Sequence, residues 1–146
     1  MANFLYNSYK THALSGTMDL SDGNVHTMLV TNSYDASTTS KAAHAVTGDI
    51  TAEVAAGDGY DLGGKAIGTP LVTQDDVNHV GEFGGDPVAW TTSTITASGA
   101  IIYHSGGTPA TSRLIGYVDF GSDHSSSLGT FQVTWNSNGI INLGDS

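Results

Sequence analysis

Carboxylates and histidines are the side chains of this chain best suited to chemistry, because they can bind a cation or transfer a proton. Two groups are dense enough to consider: Asp75, Asp76 and His79, and Asp22, Asn24 and His26. Either group could hold a divalent cation through oxygen and imidazole ligands. Neither has the His-x-x-x-His or His-Glu-x-x-His spacing of a metal site. Both are therefore interpreted as solvated loops.

A glycine-rich segment, GDGYDLGG, resembles part of a calcium loop because Asp58 and Asp61 lie close together in it. A hand-type calcium loop also needs oxygen ligands at alternating positions and a distal glutamate, and these are missing. The segment also lacks the Gly-Lys-Ser/Thr ending of a phosphate loop. Its glycines are interpreted as supplying left-handed turn conformations.

A serine hydrolase would need a serine, a histidine and an acid in contact. The nearest such set is GSDHSSSLG, with Asp123, His124 and three serines at 125–127. The Gly-x-Ser-x-Gly motif is absent, so this segment is interpreted as a polar turn between strands. The chain has no cysteine, which excludes disulfides, thiolate metal ligands and a cysteine nucleophile. We therefore expect no enzymatic activity, no catalytic residue, no metal and no cofactor.

The charge balance limits the classes of partner. With 14 acids and 4 bases, the net charge is −10. Nucleic-acid binding requires a basic footprint, and anionic lipid surfaces repel an acidic chain, so we expect neither partner. The N-terminal residues do not resemble a signal peptide, and no apolar run approaches the roughly 18 residues of a membrane helix. These features predict a soluble protein made in a cytoplasm.

Apolar spacing divides the chain into short elements. The first dozen residues have helical spacing, and Gly16 is the predicted stop. Asp35 or Ser37 could cap a second helix that continues to His44. Residues 49–54 fit either a short strand or a further helical turn.

Alternation with a period of two dominates from Met28 to Leu143, and Asp22–Gly23 and Asn138–Gly139 are clear turn signals. The predicted strands cover residues 25–31, 66–73, 78–83, 94–103, 113–120, 129–135 and 140–143. This pattern predicts a mainly β fold, as one antiparallel β-sandwich or jelly-roll-like barrel over residues 1–146, with one or two short helices.

The inward positions of these strands predict the hydrophobic core. It comprises Leu29, Ile101, Leu114, Val118, Phe120, Phe131, Val133, Trp135 and Ile140. Simple alternation also puts Ala97 on the same strand face as Ile101. Trp135 alternates with Val133 and Phe131 and is therefore assigned to the core. Trp90 is the best candidate for an exposed aromatic that stacks on a sugar.

The second half of the chain carries an ordered series of short motifs. VAWTTSTITASGAIIYHSGG at 88–107 is followed by LIGYVDFGSDHSSSLGTFQVTWNSNGIINL at 114–143, and MLVTNSY and GDGYDLGG precede both. This order resembles small virion structural proteins of tailed bacteriophages, over nearly the whole chain. The resemblance implies a β-rich structural subunit without catalytic chemistry.

The resemblance also implies a place and a set of partners. The chain is expected to be a late virion protein that decorates the capsid exterior, with the major capsid protein and copies of itself as partners, as a trimer or another small symmetric oligomer. The alternative is a tail or fibre module that is structural or binds a receptor or glycan. Self-association is expected through residues 91–102, or through an N-terminal arm that carries Phe4, Leu5, Tyr6 and Tyr9.

Overall fold

A computed structural model describes residues 3–145, in which strands dominate. Strands take up 43% of the structure and helices 13%, and the sheets are antiparallel. Within the described residues the sheets do not close into a barrel. The predicted mainly β fold is confirmed, and the sandwich describes it better than the barrel.

The elements of residues 3–145 are short, and they follow one another in this order: β1 (Phe4–Leu5), α1 (Asn7–Ser15), β2 (Val25–Val30), α2 (Thr38–Ala43), β3 (Lys65–Ala66), β4 (Leu71–Asp75), β5 (Val80–Gly84), β6 (Val88–Ser93), β7 (Thr96–His104), β8 (Arg113–Ser125), β9 (Gly129–Val133) and β10 (Ile141–Gly144). A 3-10 turn at Thr47–Asp49 lies between α2 and β3.

Both helices end or begin at the predicted residues. Gly16 closes α1 in the left-handed conformation, with φ of 67°, and its N–H faces the free carbonyls of the last turn. The Ser37 side chain accepts a hydrogen bond from the Ser40 N–H and caps α2. Residues 49–54 form neither predicted element, because after the 3-10 turn they lie beside the end of β2 with a single antiparallel bridge, Glu53 to Val30.

The first layer is a five-stranded sheet in the order β1-β8-β7-β2-β3. β7 lies at its centre and pairs with β2 and β8. Two register shifts interrupt the pairing of β7 with β8, one of them between Ala97 and Gly99. The extra residues of this irregularity lie in β8, which runs from Asp119 to His124 opposite Gly99 and Ala97. Ala97 faces the core shared with Ala100, and its predicted grouping with Ile101 is wrong.

The second layer is built on two antiparallel strand pairs. β5 pairs with β10, with Phe83 opposite Ile141, and β6 pairs with β9, with Val88 opposite Val133. The two pairs belong to separate sheets, because three residues connect β5 to β6 whereas seven connect β9 to β10. β4 adds a third strand beside β5. The predicted strand over 66–73 is wrong, because the chain changes sheets between β3 and β4.

The main core lies between the two layers. Leu29, Phe131 and Val133 are buried there as predicted, and Ile101 and Leu114 are buried in a second cluster on the outer face of the five-stranded sheet. The other predicted core residues are only partly buried at its margin: Val118, Phe120, Trp135 and Ile140.

Both tryptophans differ from their sequence predictions: Trp90 is buried, and Trp135 is only partly buried. Trp90 is 1% exposed and packs between the rings of Tyr60 and Phe131, at centroid distances of 5.8 and 6.3 Å. Trp135 lies beyond the end of β9, where its Nε1–H donates to the Asp86 carbonyl over 2.9 Å. A sugar platform at Trp90 is therefore contradicted, because the ring has no free face.

Candidate functional site

The Asp75, Asp76 and His79 group forms the tip of the β4–β5 hairpin. Asp75 accepts hydrogen bonds from the backbone N–H groups of Val77 and Asn78, at 2.9 and 3.0 Å, and from the Asn78 side chain at 2.7 Å. These hydrogen bonds, the Asn78 side chain first, hold the pKa of Asp75 below its usual value. The carboxylate therefore closes the hairpin turn.

The Asp22, Asn24 and His26 group does not form one site, because His26 lies apart from the other two residues. Asp22 accepts the Asn24 N–H at 2.9 Å and pairs with His104 Nε2 at 2.8 Å. His26 instead packs against Tyr103, and partial burial lowers its pKa. The Asp22–His104 contact joins residues 82 positions apart, so no local spacing could have revealed it.

A buried tyrosine holds the glycine-rich segment in place through hydrogen bonds. Tyr60 donates its hydroxyl hydrogen to Glu53 at 2.8 Å and accepts the Leu29 N–H at 3.0 Å. Glu53 also accepts the Gly63 N–H. A side chain at Gly64 would overlap the Thr27 carbonyl, and its φ is +67°. These contacts support the structural interpretation of this segment.

The serine-rich segment belongs partly to β8, which continues to Ser125, so its prediction as a turn holds only beyond that residue. Ser126 Oγ lies 2.8 Å from Ser93 Oγ and accepts the Ile95 N–H at 3.1 Å. His124 contacts the Phe120 carbonyl and ring. The serine contacts tie the end of β8 to the corner between β6 and β7.

Metal and membrane features can be stated for residues 3–145. In this range no three histidine or acidic side chains are grouped so as to hold a metal ion. None of the described helices has the length and apolar character to cross a bilayer.

Exposed apolar side chains concentrate on the sheet β4-β5-β10. Phe83 and Ile141 of this sheet reach the main core. Leu71, Val72 and Leu143 are more than half exposed, and Val77 at the hairpin tip is 86% exposed. We call these four residues, with the neighbouring carboxylates Asp75, Asp76 and Glu82, the ribbon surface. It includes both faces of the sheet, because the consecutive residues Leu71 and Val72 point to opposite sides. Exposed apolar clusters of this kind mark interaction sites.

The ribbon surface has charge of one sign. Residues 69–85 and 140–145 contain acids but no lysine or arginine. β4 is also the edge of its sheet, and four of its five residues are exposed. The surface therefore offers apolar contacts, carboxylates and a free strand edge.

A second feature lies at the side of the sandwich, between β8 and β9. It is a groove of about 390 Å³, which we call the lateral groove. Its lining comprises Val118, Phe120, His124, Ser125, Thr130, Phe131, Gln132, Val133 and Thr134. None of these is an aspartate, glutamate, lysine or arginine. Apolar side chains, hydroxyl and amide groups and one histidine thus line this groove.

Neither self-association segment expected from sequence is free as a whole. In residues 91–102, the part from Ala97 onwards is largely buried in the central strand β7, and only the threonines before it are exposed. The N-terminal segment pairs with β8 through β1, and Tyr6 and Tyr9 are buried. Both expectations stay predictions, and the buried residues of each segment are packed within the subunit.

Comparison with known proteins adds no relative. The chain matches no protein-family model, and no curated protein or solved structure is significantly similar to it.

Proposed function

We propose that this protein is a non-enzymatic structural subunit of a tailed-bacteriophage virion and that it decorates the outer surface of the head. The observation that carries this proposal is the ordered series of motifs from MLVTNSY to TWNSNGIINL, which resembles small virion proteins over nearly the whole chain. A role in assembly requires extended contact surfaces and no reacting groups.

The ribbon surface supports the proposal by its chemistry. Four exposed apolar residues and three nearby carboxylates suit a partner with an apolar patch bordered by lysine or arginine. The major capsid protein is the proposed partner, since a shell repeats the same patch many times. Weak contacts repeated in this way raise the apparent affinity by about 10²–10⁴ when the copies are linked.

Quantitative mass spectrometry of purified particles tests the location. Hundreds of copies per particle are expected, because a decoration protein follows the repeated symmetry of the shell. About 3 to 18 copies would instead favour the tail, neck or fibre, whose rings have low symmetry. Absence from the particle would overturn the proposal.

A further inference from the structure

The outer edge of β9 is unpaired within residues 3–145. β9 pairs with β6 on one side, and among residues 3–145 no other strand continues the sheet on the opposite side. Natural edge strands are usually protected by charges, proline or bulges. The sequence GTFQV of β9 contains no charge and no proline. This edge is therefore open to pairing with another chain.

Charge is unevenly distributed along the chain around this edge. Residues 87–112 and 124–144 contain no aspartate, glutamate, lysine or arginine, although the whole chain carries a net charge of −10. Two copies repel each other wherever acidic surfaces meet. Contact between copies is least opposed where these charged residues are absent. β6, β9 and most of the lateral groove lie in these segments, and only the lining residues Val118 and Phe120 come from the part of β8 that also carries Asp119 and Asp123.

From these observations we propose that a second copy of this chain binds at the lateral groove and that the two β9 strands pair antiparallel about a two-fold axis. Full overlap of the strands puts Phe131 opposite itself and Thr130 opposite Gln132 of the other copy. The sheet of β6 and β9 then continues into the second copy. The groove beside β9, with Phe120 and Val118 in its wall, leaves room for the approaching strand.

This register keeps the exposed positions neutral. Thr130 and Gln132 are exposed, whereas Phe131 and Val133 are buried in their own subunit. Cross-strand threonine and amide pairs are compatible, and no like charges meet. The dimer deepens the proposed function and rests on it, because decoration is what requires several copies. The contact itself is tested on purified protein without a capsid.

Sedimentation velocity of the purified chain tests the contact at concentrations up to about 1 mM, the weak end of specific association. We expect a monomer–dimer equilibrium that strengthens with salt, because salt screens the repulsion of the two acidic subunits. A monomer at every concentration, or a trimer, would overturn the inference.

Matched variants then locate the contact. Thr130→Lys with Gln132→Lys places like charges opposite each other, so we expect dimerisation about tenfold weaker or more. Thr130→Lys with Gln132→Glu places opposite charges together and should restore it. The control, Thr73→Lys with Gln74→Lys, makes the same change in net charge on the edge strand β4 and should not weaken the dimer.

The outcomes separate this inference from the proposed function. Equal dimerisation of the Thr130→Lys/Gln132→Lys variant and the Thr73→Lys/Gln74→Lys control would overturn β9 as the contact. A monomeric chain found in hundreds of copies on particles would overturn the dimer and leave decoration standing. A β9-dependent dimer of a protein that is absent from particles would overturn decoration and leave the dimer standing.

Discussion

The two strand pairs of the second layer differ in burial and charge. At the β6–β9 end of this layer, Val88, Trp90, Phe131 and Val133 are buried against the first layer, and neither strand contains a charged residue. At the β5–β10 end, Leu143 is exposed on β10, opposite Gly81 of the hairpin that carries the acidic tip. One layer thus provides core at one end and apolar surface at the other.

This difference separates stability from binding within a small protein. Apolar residues at the first end stabilise the fold, because they leave water when the chain folds. The apolar residues of the ribbon surface stay more than half exposed after folding, so most of their contact with water is left to be removed when a partner binds. Changes at the two ends should therefore have separable effects on the free energy of unfolding and on affinity for the shell.

The largest expected effect on stability is at Trp90. Trp90→Ala leaves a large cavity beside Tyr60 and should lower the free energy of unfolding by about 3–5 kcal/mol. Trp135→Ala, at the partly buried margin, should cost about 1 kcal/mol, near the average of point substitutions. Denaturant unfolding measures both. Equal losses would contradict the different burial of the two rings.

The next effect concerns the hydroxyl contacts at the β6–β9 end. Ser126→Ala removes the acceptor of the Ile95 N–H and should lower the free energy of unfolding by about 1–3 kcal/mol, since a partly buried donor loses its partner. Ser127→Ala, at an exposed neighbour, is the matched control and should change it by less than about 0.5 kcal/mol. A loss for Ser126→Ala as small as that for Ser127→Ala would show that these contacts are dispensable.

Alkaline pH should lower the free energy of unfolding through the buried tyrosines. Burial raises the pKa of Tyr6, Tyr60 and Tyr103, that of Tyr103 to about 12, whereas an unfolded tyrosine ionises near 10. The unfolded chain therefore releases protons first, so stability present below pH 10 falls as pH rises towards 12. Denaturant midpoints across this range test the effect. Tyr103→Phe should flatten the decline, and a flat wild-type profile would contradict it.

The smallest effect on stability is expected at the ribbon surface. Val77→Ser and Leu71→Ser should each change the free energy of unfolding by less than about 0.5 kcal/mol, because both side chains are already in water. Together they should weaken binding to stripped particles. Leu14→Ser, at a leucine of α1 that is 85% exposed, is the control and should bind normally. Equal binding of all variants would exclude the ribbon surface as the shell contact.

Local chemistry made part of the fold predictable from the sequence. Gly16 and Ser37 mark helix ends through their own backbone and side-chain preferences, and the alternation of Phe131 and Val133 gives their inward face. The bulge after Ala97 was not predictable, because it depends on the partner strand β8. The positions of Trp90 and Trp135 likewise depend on which layer each strand joins.

The candidate surfaces were less accessible to sequence reasoning. The ribbon surface exists because β4 leaves the first layer after β3, which alternation over residues 66–73 does not reveal. The lateral groove forms between the edges of β8 and β9, and an edge is a property of the assembled sheet. The charge-free segments are visible in the sequence, and they are the signal that could have indicated the β9 edge.

A cryo-EM map of the purified virion tests the central claim most directly. The account predicts density for this sandwich on the outside of the head, with the β4–β5 hairpin and β10 against the capsid protein and the β6–β9 end directed away from the shell. A map that places the protein only on the tail, or that has the β6–β9 end against the shell and the ribbon surface in solvent, would contradict it.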